Sequence, residues 1–303
     1  MNKIYDTIII GSGPAGMSAA VYLKRASKTV LIIERESCGG QIAKAPCVEN
    51  FPSIESISGS ELADRMMSQV LNLGVDFELE EVLSINKEDN IFHIETDYNS
   101  YDAFSVIVAT GASHKRIGIP NEDDWLGKGL SYCVSCDGAF YKGEEVAVIG
   151  DANSALQYAI ELSSYCPKVH LCTLFDKFFA DKVLVDRVIS KDNIIIYHNL
   201  LLKELLGADS LNELVFLNTS DNSEFRLKAK GCFIAIGQEP HNDIIKDLAE
   251  INKAGYAISD RLMNSKTEGL FIAGDCRDKD VRQCATAISD GAIAATSAIK
   301  YLG

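Results

Sequence analysis

Apolar residues fall into two rhythms along this chain. Short unbroken runs read as strands buried on both faces: DTIII at 6–10, VLIIE at 30–34, VIVATGA at 106–112, EVAVI at 145–149, VHLC at 169–172 and LFIAGDC at 270–276. Between them, apolar and small residues recur at helical spacing. MSAAVYLKRA at 17–26 is one such stretch, and RQCATAISDGAIAATSAIKYL at 282–302 is a long one rich in small side chains. A third is expected to start near Asn153 or Ser154, both good N-caps, with Leu156, Ile160 and Ser163/Ser164 following at helix spacing. The order strand, tight turn, helix, strand occurs twice, over 6–34 and over 145–173.

The first of these units carries GSGPAG at 11–16 between its strand and its helix. Gly11 suits the tight turn, Gly13 lets a pyrophosphate approach the backbone, and Gly16 lets helix and strand pack closely. The free N–H groups and positive dipole end of the helix favour phosphate. Glu34 closes the next strand 23 positions after Gly11, where an acid can bond a ribose hydroxyl. That acid does not distinguish FAD from NAD. Linker-like loops, KRIGIPNEDD and GQEPHND, flank the second unit. The predicted fold class is therefore α/β, with two Rossmann-like domains of the three-layer ββα type, the second nested in the first. The expected boundaries are 1–115 and 242–303 for the first domain and 116–241 for the second.

Cys133 and Cys136 lie three apart in YCVSCDGAFY at the expected start of a helix. Such a pair closes a small disulfide ring, and a helix N-terminus makes a thiolate easier to form. Asp137 adjoins Cys136 and can give or take a proton; the plainer reading is a charge favoured at a helix start. The competing reading of the pair is half of a zinc site. Zinc needs four N or S ligands as a rule, and neither a second CxxC nor an HxxxH accompanies this one. No metal is expected.

Composition narrows the partners. The net charge of −14 argues against nucleic acid or an anionic membrane, which need a positive field. No apolar run reaches the ~18 residues of a bilayer span, and MNKIYDTIII runs straight into a strand without a signal-type cleavage site. A cytoplasmic location is expected, where most of the nine cysteines serve as small buried hydrophobes. Lys177, Lys182 and Arg187, near helical spacing, read best as a solvated helix face. Lys24, Arg25 and Lys28 form a second small basic cluster.

GSGPAG, CGGQ at 38–41, VENFP at 48–52, ATGA, CVSCDG, AIG at 235–237, IAGDC and RQCATA occur in one order over essentially all 303 residues. In these motifs the chain resembles the low-molecular-weight thioredoxin reductases. The resemblance implies FAD in the first domain, contacted by Gly11, Ser12, Gly13, Pro14, Ala15, Glu34, Gly40, Gln41, Asn50, Ala109, Gly111, Gly274, Asp275, Arg282, Gln283 and Ala285. It implies that Cys133 and Cys136 exchange electrons with the flavin and then with thioredoxin, beside the acid Asp137. It also implies a homodimer whose domains rotate between the two half-reactions.

The second unit departs from that pattern. Where nicotinamide-dependent members carry GGGDSA, this chain has Gly150, Asp151, Ala152, Asn153, Ser154 and Ala155. A methyl group and a carboxylate thus stand where a pyrophosphate would lie. Where those members carry HRR and a further Arg for the 2′-phosphate of NADPH, this chain has Thr173, Leu174, Phe175 and Phe179. A hydrogen bond to a charged group is worth ~1.5–3 kcal/mol, so without several of them the affinity for NADPH falls by orders of magnitude. The acid pair on the following helix is replaced by Gln157 and Tyr158. The chain looks most like the ferredoxin-dependent flavin thioredoxin reductases. Ferredoxin is then the expected donor, with an NAD(P)H-dependent reductase of altered site as the alternative, or a related flavin-linked disulfide oxidoreductase with a different partner. Phe175, Phe178 and Phe179 are expected to fill the vacated pocket as core; an apolar docking patch is the second reading.

Overall fold

The computed structural model describes residues 3–303, and they form two compact units. One comprises the chain up to Ser113 and from Glu239 onward; the other runs from His114 to Gln238. Each has the layering expected from the alternation of buried strands and amphipathic helices: a parallel sheet, helices on it, and a smaller antiparallel sheet.

In the first unit, strands Asp76–Leu79, Val30–Glu34, Ile4–Ile10 and Ser100–Val108 run parallel in that order, and Leu270–Ile272 adds to the last. Ser100–Val108 carries both kinds of pairing within one seven-stranded sheet. Its second half pairs with Leu270–Ile272, while its first half pairs antiparallel with Ile91–Thr96, which continues to Val82–Glu88. The central strands are almost wholly apolar because both faces are covered. In the second unit, Ile194–Tyr197, Lys168–Cys172, Glu145–Ile149, Gly231–Ile234 and Leu130–Ser131 form the parallel sheet. Its antiparallel layer is Leu200–Gly207, Leu211–Asn218 and Glu224–Lys228.

Two helices fix the geometry of the first unit. Pro14–Arg25 begins on proline, whose missing N–H costs nothing at a helix start. It turns Ala15, Met17, Ala19, Ala20 and Leu23 inward. Cys284–Leu302 is capped by Gln283, whose side chain and that of Thr286 bond each other's backbone reciprocally. The two helices meet through small residues: a methyl on Gly291 would run into the Ala15 carbonyl.

In the second unit the corresponding helix is Asn153–Leu162; it starts where expected, but neither Asn153 nor Ser154 is its cap. The N-cap position falls on Ala152, with no side-chain cap. Asn153 turns instead to Asp181: its Nδ2 donates to Asp181 Oδ2 at 2.9 Å, and Asp181 N–H donates to its Oδ1 at 2.8 Å. A partner 28 residues away outcompetes the local cap.

The tight crossing yields a stability prediction. Gly291→Ala should cost ~1–3 kcal/mol, as overpacking of a close-packed contact does. Urea unfolding of the two proteins measures this, and an unchanged midpoint would mean that the helices separate freely.

Candidate active site

In the first unit the fold gathers the residues predicted to hold a cofactor. Gly11 lies under the Ala109 carbonyl, so close that a methyl on it would collide, and its φ is +105°. Ser12 C=O accepts from Gly39 N–H at 3.0 Å, which lays the Gly39–Gly40 turn across Gly13. Glu34 accepts from Ser12 N–H at 2.8 Å and Ser12 Oγ at 2.9 Å, and from the N–H groups of Arg35 and Glu36. Gly274 packs beside Ala15. Asn50 Nδ2 donates to Gln283 Oε1 at 3.2 Å. Gly111, with φ +69°, accepts from His241 N–H. Gln41 is exposed in the turn Gly40–Lys44, and Ala285 is exposed at the start of the last helix.

This cradle suits a dinucleotide bearing a pyrophosphate. A methyl on Gly13 would meet nothing within 4 Å, so the backbone there is open. Helix Pro14–Arg25 has no acidic residue in its first turn and no side chain capping its N–H groups. Arg282 Nε is buried without a hydrogen-bond partner, its guanidinium lying over the Tyr256 ring at 4.1 Å. Asp275 Oδ1 is likewise buried; the Lys279 ammonium lies 3.1 Å away but off the line of a hydrogen bond.

Sequence reasoning missed the groups behind Asp275. Lys279, nearly buried, lies 3.1 Å from both Asp275 Oδ1 and Asp290 Oδ2. Arg277 Nη1 lies 3.4 Å from Asp290 Oδ1, and Gly274 N–H donates to Asp290 Oδ2 at 3.2 Å. Two cations thus balance two carboxylates under the strand end. The spacing of Asp275 and Lys279, four apart, was the available signal; Asp290 is reached only through the fold.

The cysteine pair lies in the second unit. Cys133 and Cys136 are joined as a disulfide, with Cys133 at the N-cap of the single turn Val134–Asp137. Asp137 N–H closes that turn on the Cys133 carbonyl at 3.0 Å. The Asp137 carboxyl accepts from Ser131 Oγ at 2.6 Å. Burial pushes this carboxyl above its ordinary value, and the Ser131 hydroxyl pulls partly back. The neighbouring Tyr141 phenol is pushed up to about 12 by burial and by Asp137. Tyr132, before the pair, is anchored twice: its hydroxyl donates to the buried Glu122 carboxylate, and its carbonyl accepts from Tyr158 Oη at 3.2 Å. Tyr158 is one of the two residues that replace the expected acid pair. The free cysteines Cys166, Cys172, Cys232 and Cys276 are buried, and burial raises their thiols; Cys38, Cys47 and Cys284 are half-buried.

The segment 173–181 corrects one expectation. Only Phe178 joins the core, edge-on to His198. Phe175 is 48% exposed and Phe179 54% exposed, packed on each other edge to face. Apolar character drove the core expectation, but the segment crosses the surface, where its rings pack among themselves. Lys182 and Arg187 lie on helix Lys182–Ile189, whereas Lys177 precedes it and lies over the Phe179 ring, so the trio is not one helix face. The backbone of the segment is fixed. Phe179 N–H donates to the Asp151 carbonyl at 2.7 Å, and Ala152 and Phe179 form a single parallel bridge. Thr173 Oγ1 lies 2.7 Å from the Phe175 carbonyl and 2.8 Å from His198 Nδ1.

Residues 5–291 match the family described as pyridine nucleotide-disulphide oxidoreductases. The chain belongs to that family. It is a flavoprotein disulfide oxidoreductase of the thioredoxin reductase type, and its cofactor is FAD. It is 38% identical to the thioredoxin reductase of Treponema pallidum, covering 100% of this chain and 98% of that protein. A 34.2 kDa protein in the rubredoxin operon of Clostridium pasteurianum is 39% identical, over 99% of this chain and 98% of that one. The crystal structure of thioredoxin reductase from Streptococcus pyogenes superposes with a TM-score of 0.96 at 36% identity, covering 100% of this chain and 99% of that chain. Among the described residues, no helix is long and apolar enough to cross a membrane.

The charge cluster behind Asp275 is testable. Lys279→Met leaves two carboxylates to one guanidinium and should destabilise the flavoprotein by ~3–5 kcal/mol. Adding Asp290→Asn should recover part of that loss. Thermal unfolding of the single and double variants decides; equal midpoints for wild type and Lys279→Met would show that the cluster carries no weight.

Proposed function

We propose that this protein reduces the disulfide of thioredoxin with electrons from reduced ferredoxin, and not from NADPH or NADH. The carrying observation is the state of the second dinucleotide-type turn. The backbone bond between Phe179 N–H and the Asp151 carbonyl ties the chain's own segment alongside Asp151 and Ala152. Ala152 brings a methyl to the place of the middle glycine. Asp181, held by Asn153, sets a carboxylate beside the start of the helix that a phosphate would need. The positions that would grip a 2′-phosphate hold the buried Thr173 and the exposed Leu174, Phe175 and Phe179.

In this reading FAD is held by Gly11, Ser12, Gly13, Pro14, Ala15, Glu34, Gly40, Gln41, Asn50, Ala109, Gly111, Gly274, Asp275, Arg282, Gln283 and Ala285. FAD supplies a centre that accepts electrons one at a time and passes them on as a pair. The open backbone at Gly13 and the N-terminus of helix Pro14–Arg25 take the pyrophosphate. Asp275 takes a ribityl hydroxyl, and Arg282 steadies negative charge at the ring. At the redox pair, two electrons and two protons convert the Cys133–Cys136 disulfide to two thiols. Asp137, half-buried with its proton held more tightly than usual, gives a proton to the departing sulfur. One thiolate then attacks the thioredoxin disulfide through a mixed disulfide, and the other resolves it. The named relatives support thioredoxin as the acceptor. The relative named for a rubredoxin operon fits a setting of one-electron iron carriers. A homodimer in the cytoplasm completes the reading.

Anaerobic stopped-flow with NADPH, NADH and reduced ferredoxin tests the donor. Ferredoxin should bleach the flavin rapidly, and either nicotinamide more slowly by orders of magnitude. Rapid bleaching by NADPH with none by ferredoxin would overturn the proposal. Cys136→Ser should keep its flavin and lose thioredoxin turnover entirely; a variant that still turned over would remove the pair from the mechanism.

A further inference from the structure

Ser131 ends the strand Leu130–Ser131 and is 4% exposed. Its hydroxyl accepts from Cys133 N–H at 3.0 Å. It has one proton to donate and two acceptors within reach: Asp137 Oδ2 at 2.6 Å and the Cys133 carbonyl at 3.3 Å. An ionised carboxylate takes the proton in preference, because charge-assisted bonds are shorter and stronger. A protonated carboxyl reverses the polarity. Its own O–H then points at Ser131 Oγ, and the serine proton turns to the Cys133 carbonyl. The hydroxyl thus couples the proton state of Asp137 to the backbone of the cysteine beside it.

We propose that Ser131 is a positioning residue of the redox pair, a two-way hydroxyl that holds the Asp137 carboxyl to the Cys133–Cys136 turn in both of its proton states. This rests on Asp137 being the proton carrier. As the sulfur–sulfur bond takes two electrons and breaks, the Asp137 O–H turns away from Ser131 Oγ and its proton passes to one sulfur. The other sulfur remains a thiolate until it is protonated from water, and the Asp137 carboxylate recovers its bond from Ser131. The groups bearing on Asp137 are the Ser131 hydroxyl and the Tyr141 phenol on the following turn. Burial raises the Asp137 carboxyl and Ser131 lowers it, so deleting the hydroxyl moves the titration upward.

The test uses the flavoprotein as wild type, Ser131→Ala, Ser131→Thr, Asp137→Asn and the Ser131→Ala/Asp137→Asn double variant. Two readouts are taken against pH. One is the rate of iodoacetamide alkylation after anaerobic reduction; the other is the infrared carboxyl band of Asp137, identified by its loss in Asp137→Asn. Ser131→Ala should move the Asp137 inflection up by about 1–2 pH units, the worth of one hydrogen bond to a charged group. Ser131→Thr, which keeps the hydroxyl, should restore the wild-type profile. In the Asp137→Asn background, Ser131→Ala should add nothing. An unmoved inflection in Ser131→Ala, with the inflection absent in Asp137→Asn, would overturn the role of Ser131 and leave that of Asp137 standing. An equal effect of Ser131→Ala in both backgrounds would also overturn it, assigning the effect to the Cys133 N–H bond alone. A wild-type alkylation profile in Asp137→Asn would remove Asp137 as the proton carrier.

Discussion

A pyrophosphate can lie against a strand–turn–helix only where the backbone of the turn is uncovered, since its binding comes from N–H groups and the helix dipole acting at close range. The two units of this protein resolve that constraint in opposite ways. At Gly13 the chain leaves space against the backbone, with no side chain capping the helix N–H groups, and pulls its acid, Glu34, back onto Ser12. At Gly150–Asn153 the chain ties its own segment to one edge of the turn: the amide of Phe179 takes the Asp151 carbonyl at 2.7 Å, and the Asn153–Asp181 pair sets a carboxylate beside the helix start, while Ala152 puts an exposed methyl at the middle position. The fold is shared, and the ligand chemistry belongs to the turn.

The segment bonded to that turn has consequences beyond it. Beyond the strand Lys168–Cys172, Phe175 and Phe179 pack on each other at the surface, with Lys177 laid over the Phe179 ring. Tyr158, one residue of the replaced acid pair, reaches instead to the Tyr132 carbonyl next to the redox pair. The helix Asn153–Leu162 thus braces the cysteine turn. The same economy appears at Asp137, whose surroundings are burial, one serine and one tyrosine, so small changes there act directly on its proton.

Much of this was legible in the sequence. The buried strands, the glycine turn at 11–16, the acid at 34 and the cysteine pair each carry a local signal in residue type and spacing. What escaped was long-range. Nothing near Asn153 shows that its side chain serves Asp181 rather than its own helix. Nothing in the apolar character of Phe175 and Phe179 says on which side of the chain they lie, so the expectation of a filled core failed for two rings of three. Lys279 between Asp275 and Asp290, and Ser131 between Cys133 and Asp137, are polar partnerships that the fold creates; residue spacing hints at the first through Asp275 alone.

The central claim is that the turn of the second unit, with its Ala152 methyl and the Asp181 carboxylate at the helix start, does not hold a nicotinamide dinucleotide. Titration calorimetry of NADPH and of NADH into the oxidised flavoprotein tests it independently of any donor or acceptor. The account predicts no saturable binding up to about 1 mM for either nucleotide. A dissociation constant in the range of roughly 1–10 μM, as a working cofactor site would give, would contradict it.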